Sequence, residues 1–186
     1  MATNHLADNI CCFVIILLIS QVLCEEETTQ DMIKKICLHT YVEEEYVFCC
    51  RTFNEHLIST RTGIRGLTQI TIDRSLHNAT STRNLVLGLL KNATGRGSLK
   101  DALVQCNSSY MTLIKAFKLA SSYFTRAEYE KVIEAESPGP LAQDKCAWRL
   151  DGAMKSGSMD QLVESNREMR ILVSMSLVTA NYLLYP

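Results

Sequence analysis

Between residues 98 and 124, apolar side chains recur in alternating steps of four and three, through Leu99, Leu103, Cys106, Tyr110, Leu113, Phe117, Ala120 and Phe124. A helix turns every 3.6 residues, so this spacing draws one stripe along a single face for about seven turns. A stripe that long has to be covered by other elements, which commits the chain to helix-on-helix packing. Ser98 is placed to cap its start, after Gly95-Arg96-Gly97. A second stripe runs through Leu162, Asn166, Met169, Val173, Ser176, Ala180 and Leu184, behind Ser158-x-x-Gln161, which has capping-box spacing. A third runs from Ile64 to Leu90 through Leu67, Thr71, Ser75, Ala79, Thr82, Val86 and Leu89.

Around Ser137-Pro-Gly-Pro140 the periodicity breaks. Before the break the pattern predicts a short helix opened by a capping box, Thr125-x-x-Glu128, and after it a helix from about Leu141 to Met154 carrying Cys146. Residues 28–57 read as two shorter helices broken near residues 41–45, with Cys37 on the first and Cys49 and Cys50 on the second. The expected fold is all-α: a four-helix bundle over about 62–184, preceded by a helical hairpin over about 28–57. The apolar C-terminus from Ile171 to Tyr185 continues a stripe and is interrupted by Ser174, Ser176, Thr179 and Asn181, so it reads as core and not as a lipid-anchor signal.

Residues 10–19 form an uncharged apolar run shorter than a membrane span, followed by small Val22 and Cys24 ahead of Glu25. Residues 1–24 are therefore expected to be a cleaved signal peptide, leaving 25–186 as one domain. Subtracting Asp8 from the 20 acidic residues leaves 19 against 19 Lys plus Arg, so the mature chain is electrically balanced. Balance argues against a nucleic-acid or acidic-polysaccharide partner held by counter-charge. Of eight cysteines, removal of 11, 12 and 24 leaves 37, 49, 50, 106 and 146. None of these has Cys-x-x-Cys spacing, and the histidines show no paired spacing, so disulfides with one thiol left over are favoured over zinc. The triplets starting at Asn78, Asn92 and Asn107 match the N-glycosylation acceptor pattern of an exported surface.

No catalytic signature stands out in the chain. The chain has no Gly-x-Ser-x-Gly, no His-Glu-x-x-His and no phosphate-cradling glycine loop, so it reads as a non-enzyme without cofactor or metal. The runs Glu25-Glu26-Glu27 and Glu43-Glu44-Glu45 read as solvent-facing.

With helices and cysteines placed, the chain resembles the plant invertase inhibitor and pectin methylesterase inhibitor family over nearly all of residues 31–184. The resemblance is carried by Asp31-Met-Ile-Lys-Lys-Ile-Cys37, Tyr46-Val-Phe-Cys49, Gly66-Leu-Thr-Gln-Ile-Thr-Ile-Asp73 and Asn78-Ala-Thr-Ser-Thr82. Ala102-Leu-Val-Gln-Cys106, Tyr129, Ile133-Glu-Ala135, Asp144-Lys-Cys146 and Asn166-Arg167 continue it. The resemblance implies an up-and-down four-helix bundle behind a hairpin, with bridges pairing Cys37 with Cys49 and Cys106 with Cys146 and leaving Cys50 free. It also implies a non-catalytic, monomeric protein that binds a carbohydrate-active enzyme one to one and occludes its cleft. The implied compartment is the extracellular cell wall, with the vacuole as the other destination of an exported chain.

Two targets compete. Invertase inhibitors of this family carry a Pro-Lys-Phe loop that enters the invertase site, where this chain reads Ala127-Glu128-Tyr129. Lysine is missing, and a glutamate would bring negative charge toward a glycosidase carboxylate pair, so pectin methylesterase is the expected target and acid invertase the alternative. Tyr129 has a second reading as an aromatic packing the short helix. A helical ligand carrier or signalling bundle is the alternative of another class; Ala79, Ala102, Ala120 and Ala180 along the stripes favour close helix approach instead.

Overall fold

The computed structural model describes residues 28–39, 43–93, 97–153 and 159–185. Seven helices lie among them: α1 Thr29–Cys37, α2 Glu43–His56, α3 Ile64–Asn92, α4 Ser98–Thr125, α5 Tyr129–Glu136, α6 Gly139–Ala153 and α7 Asp160–Leu184. Helices α3, α4, α6 and α7 form the bundle, α5 lies against α4 and α7, and the α1–α2 hairpin rests on α3 and α7. The expected signal peptide, Gly95 and Arg96, Met154 at the expected end of the Cys146 helix, and Ser158 of the capping box read ahead of the last stripe lie outside the described residues.

The stripes become the core. Leu103, Cys106, Tyr110, Leu113 and Phe117 of α4 meet Leu67, Ala79 and Val86 of α3, Cys146 and Leu150 of α6, and Leu162, Met169 and Leu172 of α7, all buried. Ala79, Ala102, Ala120 and Ala180 are buried as well. Polar members of the stripes are satisfied inside. Thr71 and Thr179 share a hydrogen bond at 3.0 Å, and Tyr110 Oη donates to Asn166 Oδ1 at 3.0 Å. Thr68 and Thr71 hydroxyls donate back to the carbonyls of Ile64 and Thr68, which lets β-branched polar residues sit buried within a helix.

The hairpin shares this core through Ile33, Ile36 and Phe53. Cys37–Cys49 closes it with a Cα separation of 5.7 Å, and Thr29 Oγ1 donates to the carbonyl oxygens of Thr60 and Thr62 at 2.8 and 3.0 Å. Cys106–Cys146 ties α4 to α6 at a Cα separation of 4.4 Å. The bridges join residues 12 and 40 positions apart, so they remove about 3 and 4 kcal/mol of chain entropy from the unfolded state.

Helix ends differ from the sequence expectation in two places. Helix α4 opens on Ser98 itself, with the extended Gly97 as its cap residue and no side-chain cap. Thr125 opens nothing: it is the last residue of α4, and its hydroxyl donates to the Ser122 carbonyl at 2.8 Å. The true cap residue of α5 is Glu128, which makes no side-chain capping bond. Pro138 separates α5 from α6, and Pro140 falls in the first turn of α6 where its missing N–H is harmless. Gly139 sits at a close approach, since a Cβ there would lie 3.1 Å from Val173 Cγ1 on α7.

Candidate functional site

The segment Ala127-Glu128-Tyr129 forms the corner between α4 and α5. Ala127 takes a left-handed conformation, φ 56°, because the chain ends α4 in a Schellman turn: the Ala127 N–H donates to the Phe124 carbonyl and the Glu128 N–H to the Tyr123 carbonyl, both at 3.0 Å. Glu128 is clamped by Arg126 Nε and Lys131 Nζ, each at 2.6 Å. Those two hydrogen bonds, Lys131's first, hold its carboxyl below the usual range. Both cations also lie over the Tyr123 ring, at 4.9 and 5.6 Å. The corner is therefore not acidic, which corrects the charge argument made from Glu128 alone: one carboxylate sits between two cations. Tyr129 is half-buried with its ring 6.0 Å from that of Phe124, so it packs the short helix.

A second surface was not legible as a site in the sequence. On α4, Val104 and Met111 are 52% and 48% exposed; on α6, Leu141 and Trp148 are 54% and 67% exposed. Helices α4 and α6 run antiparallel, and the Cys106–Cys146 bridge sets their register, which puts Val104 level with Trp148 and Met111 level with Leu141 along the helix axes. Between them runs a groove of about 160 Å³ lined by Gln105, Ser108, Thr112 and Lys145 among others, with the buried, unpartnered Ser109 Oγ in its wall. The signal that reveals this face is the off-stripe pair: Val104 and Met111, like Leu141 and Trp148, are seven residues apart on the side of the helix opposite its stripe.

The hairpin side of the molecule is different. A groove of about 470 Å³ is lined by Glu43, Glu44, Val47, Arg51, Glu164 and Arg167 with Phe48, and Arg167 bonds Glu44 at 3.0 Å and Glu164 at 3.3 Å within it. Glu45 departs from the solvent-facing reading of its run: it is buried and ion-paired to Arg170 of α7, because the first turn of α2 lies on that helix.

Cys50 is the free thiol among the described residues, half-buried beside the bridged Cys49, and its contact with the Tyr46 hydroxyl raises that phenol's pKa. Of the acceptor asparagines, Asn78 commits its Nδ2 to Glu168 at 3.2 Å, and Asn107 accepts from Arg83 Nε at 3.1 Å. Asn92 is exposed at the end of α3. Among the described residues no three His, Cys, Asp or Glu side chains are grouped as a metal site requires, and no helix is long and apolar enough to cross a membrane.

The family model described as plant invertase/pectin methylesterase inhibitor matches residues 31–178. The chain belongs to that family. The fold of this family member is similar to the crystal structure of a mutant form of a pectin methylesterase inhibitor from Arabidopsis, with a TM-score of 0.70 and 19% identity over 80% of this chain and 95% of that one. It is also similar to a crystal structure of a pectin methylesterase inhibitor from Arabidopsis thaliana, with a TM-score of 0.58 and 20% identity over 83% of this chain and 97% of that one. No curated protein matches the chain closely enough to count as a relative. Membership supports an enzyme-inhibitor role and leaves the particular target to the chemistry of the surface.

Proposed function

We propose that the chain is an exported, non-catalytic inhibitor that docks one to one on pectin methylesterase and covers its substrate cleft. The observation that carries this reading is the α4–α6 face, where Trp148, Leu141, Met111 and Val104 stand exposed on two helices locked together by a disulfide. Apolar and aromatic side chains held on a rigid frame lose little conformational entropy on docking, and Trp and Met are the residue types enriched where partners bury surface. From Val104 to Ser122 the face is about 27 Å long, and two adjacent helices make it about 20 Å wide. With the neighbouring corner this approaches the roughly 800 Å² that a standard interface buries on each partner.

Acid invertase is the second reading. Its specific support is the clamped Glu128: bound by Arg126 and Lys131, it presents no unpaired carboxylate to a glycosidase carboxylate pair. The reading further takes residues 1–24 as a leader removed on export to the cell wall or vacuole. The test is inhibition of purified pectin methylesterase and acid invertase, side by side at mildly acidic pH, by residues 25–186 secreted from an oxidising host. Slowing of the esterase alone supports the first reading, slowing of invertase alone the second, and slowing of neither refutes the inhibitor role.

A further inference from the structure

Although the mature chain is electrically balanced, its charges are segregated. On the hairpin side several cations are engaged: Arg167 with Glu44 and Glu164, Arg170 with Glu45, and Arg51 over the Phe48 ring. On the α4–α6 face they are not. Lys115 and Lys118 of α4 and Lys145 and Arg149 of α6 are all exposed, and none of the four is ion-paired among the described residues.

Helical spacing puts these cations among the exposed apolar residues. Val104, Ser108, Met111, Lys115, Lys118 and Ser122 follow one another at steps of three and four along α4, and Leu141, Lys145, Trp148 and Arg149 share one side of α6. The acids of the two helices lie at the margins. Asp101 is in the first turn of α4, Asp144 lines the groove on the other flank of α6 beside Arg170, and Asp151 lies near the end of α6.

We infer that this face selects a target enzyme whose cleft rim is acidic, with Trp148 as the apolar anchor and the four cations as the charge-reading groups. The inference rests on the inhibitor reading above and adds the chemistry of the partner. A partner that covers Trp148 and Met111 also strips water from the cations between and beside them. A desolvated ammonium or guanidinium without a counter-charge opposes binding, so a neutral or basic rim is rejected while an acidic one is accepted. Before contact, the same unpaired cations steer an acidic partner toward the face and raise the association rate at low salt. Lys145, which lines the groove between the helices, is the central member of the set.

The test uses the secreted full-length product and two purified pectin methylesterases, one acidic and one basic in isoelectric point, with acid invertase alongside. Association rates are followed from low to high ionic strength. For whichever enzyme is inhibited, the inference expects the rate constant to fall by about tenfold or more as salt rises. It expects the Lys115→Gln, Lys118→Gln, Lys145→Gln, Arg149→Gln variant to be about tenfold slower at low salt and to converge with wild type at high salt. Because all four side chains are solvated, the variant should keep its helical circular dichroism. Tighter binding to the basic isoform, or inhibition with no salt or variant response, overturns the inference and leaves the inhibitor reading standing. Inhibition of none of the three enzymes at any salt overturns both.

Discussion

Replacing Glu136 by glutamine gives the most direct reading of how the core sets the stability of this fold. Glu136 ends α5 and is fully buried against α7. One carboxyl oxygen accepts a hydrogen bond from Ser176 Oγ at 2.6 Å, and the other is buried without a partner. Burial pushes its pKa from 4.5 up to about 7, only partly offset by the Ser176 hydroxyl, and no charged neighbour contributes. The unfolded chain releases this proton near 4.5 and the folded chain holds it until about 7, so between those values the folded state binds more protons. Stability contributed by the neutral carboxyl is fully present below 4.5, falls as pH rises through about 7, and is level above it. A difference of about 2.5 units corresponds to about 3 kcal/mol, a sizeable fraction of a domain's typical 5–15 kcal/mol. Glutamine has the same shape, can accept from Ser176, and does not ionise in this range. Urea denaturation of both proteins between pH 4.5 and 8 should show that the wild type loses about 3 kcal/mol relative to Glu136→Gln as pH rises. At the acid end the two should lie within about 1 kcal/mol. Parallel profiles, or a wild type that gains stability over Glu136→Gln with rising pH, would refute the reasoning.

Ala127→Gly should stabilise the protein by about 1 kcal/mol, because the Schellman turn holds a Cβ-bearing residue at positive φ; a rise in Tm of a few degrees checks it. Removing the Cys106–Cys146 bridge as Cys106→Ala, Cys146→Ala should cost about 4 kcal/mol in denaturant titration. Cys50→Ser should fold normally and abolish the single thiol titrated in the unfolded mature wild type. Peptide mapping of the secreted protein should find glycan on Asn92 and none on Asn78 or Asn107, whose side chains are engaged in the folded bundle.

The bundle was legible because its core stripes are long and regular, and nearly every stripe residue of α4 and α7 is buried where its period puts it. Local chemistry was less legible. Thr125 and Glu128 have capping-box spacing, yet capping depends on backbone shape at the helix start, and the chain there is leaving α4 through a left-handed alanine that no spacing rule announces. Glu45 and Glu136 look like ordinary surface acids until α7 is laid over them, since burial of a carboxylate is decided by packing between distant segments. The α4–α6 face escaped because the stripes drew the eye to the core, while Trp148 and Met111 lie opposite. The register set by Cys106–Cys146 is what puts the outer residues of those two helices at matching levels.

The central claim is that the α4–α6 face plugs an enzyme's cleft, and titrating pectin methylesterase at mildly acidic pH with the wild type and with Trp148→Ala tests it most directly. Loss of an exposed anchor worth about 2 kcal/mol should weaken inhibition about 30-fold while leaving the melting temperature unchanged, with wild type reaching full inhibition at one equivalent. Esterase activity that survives excess wild type, or equal inhibition by the two proteins, would contradict it.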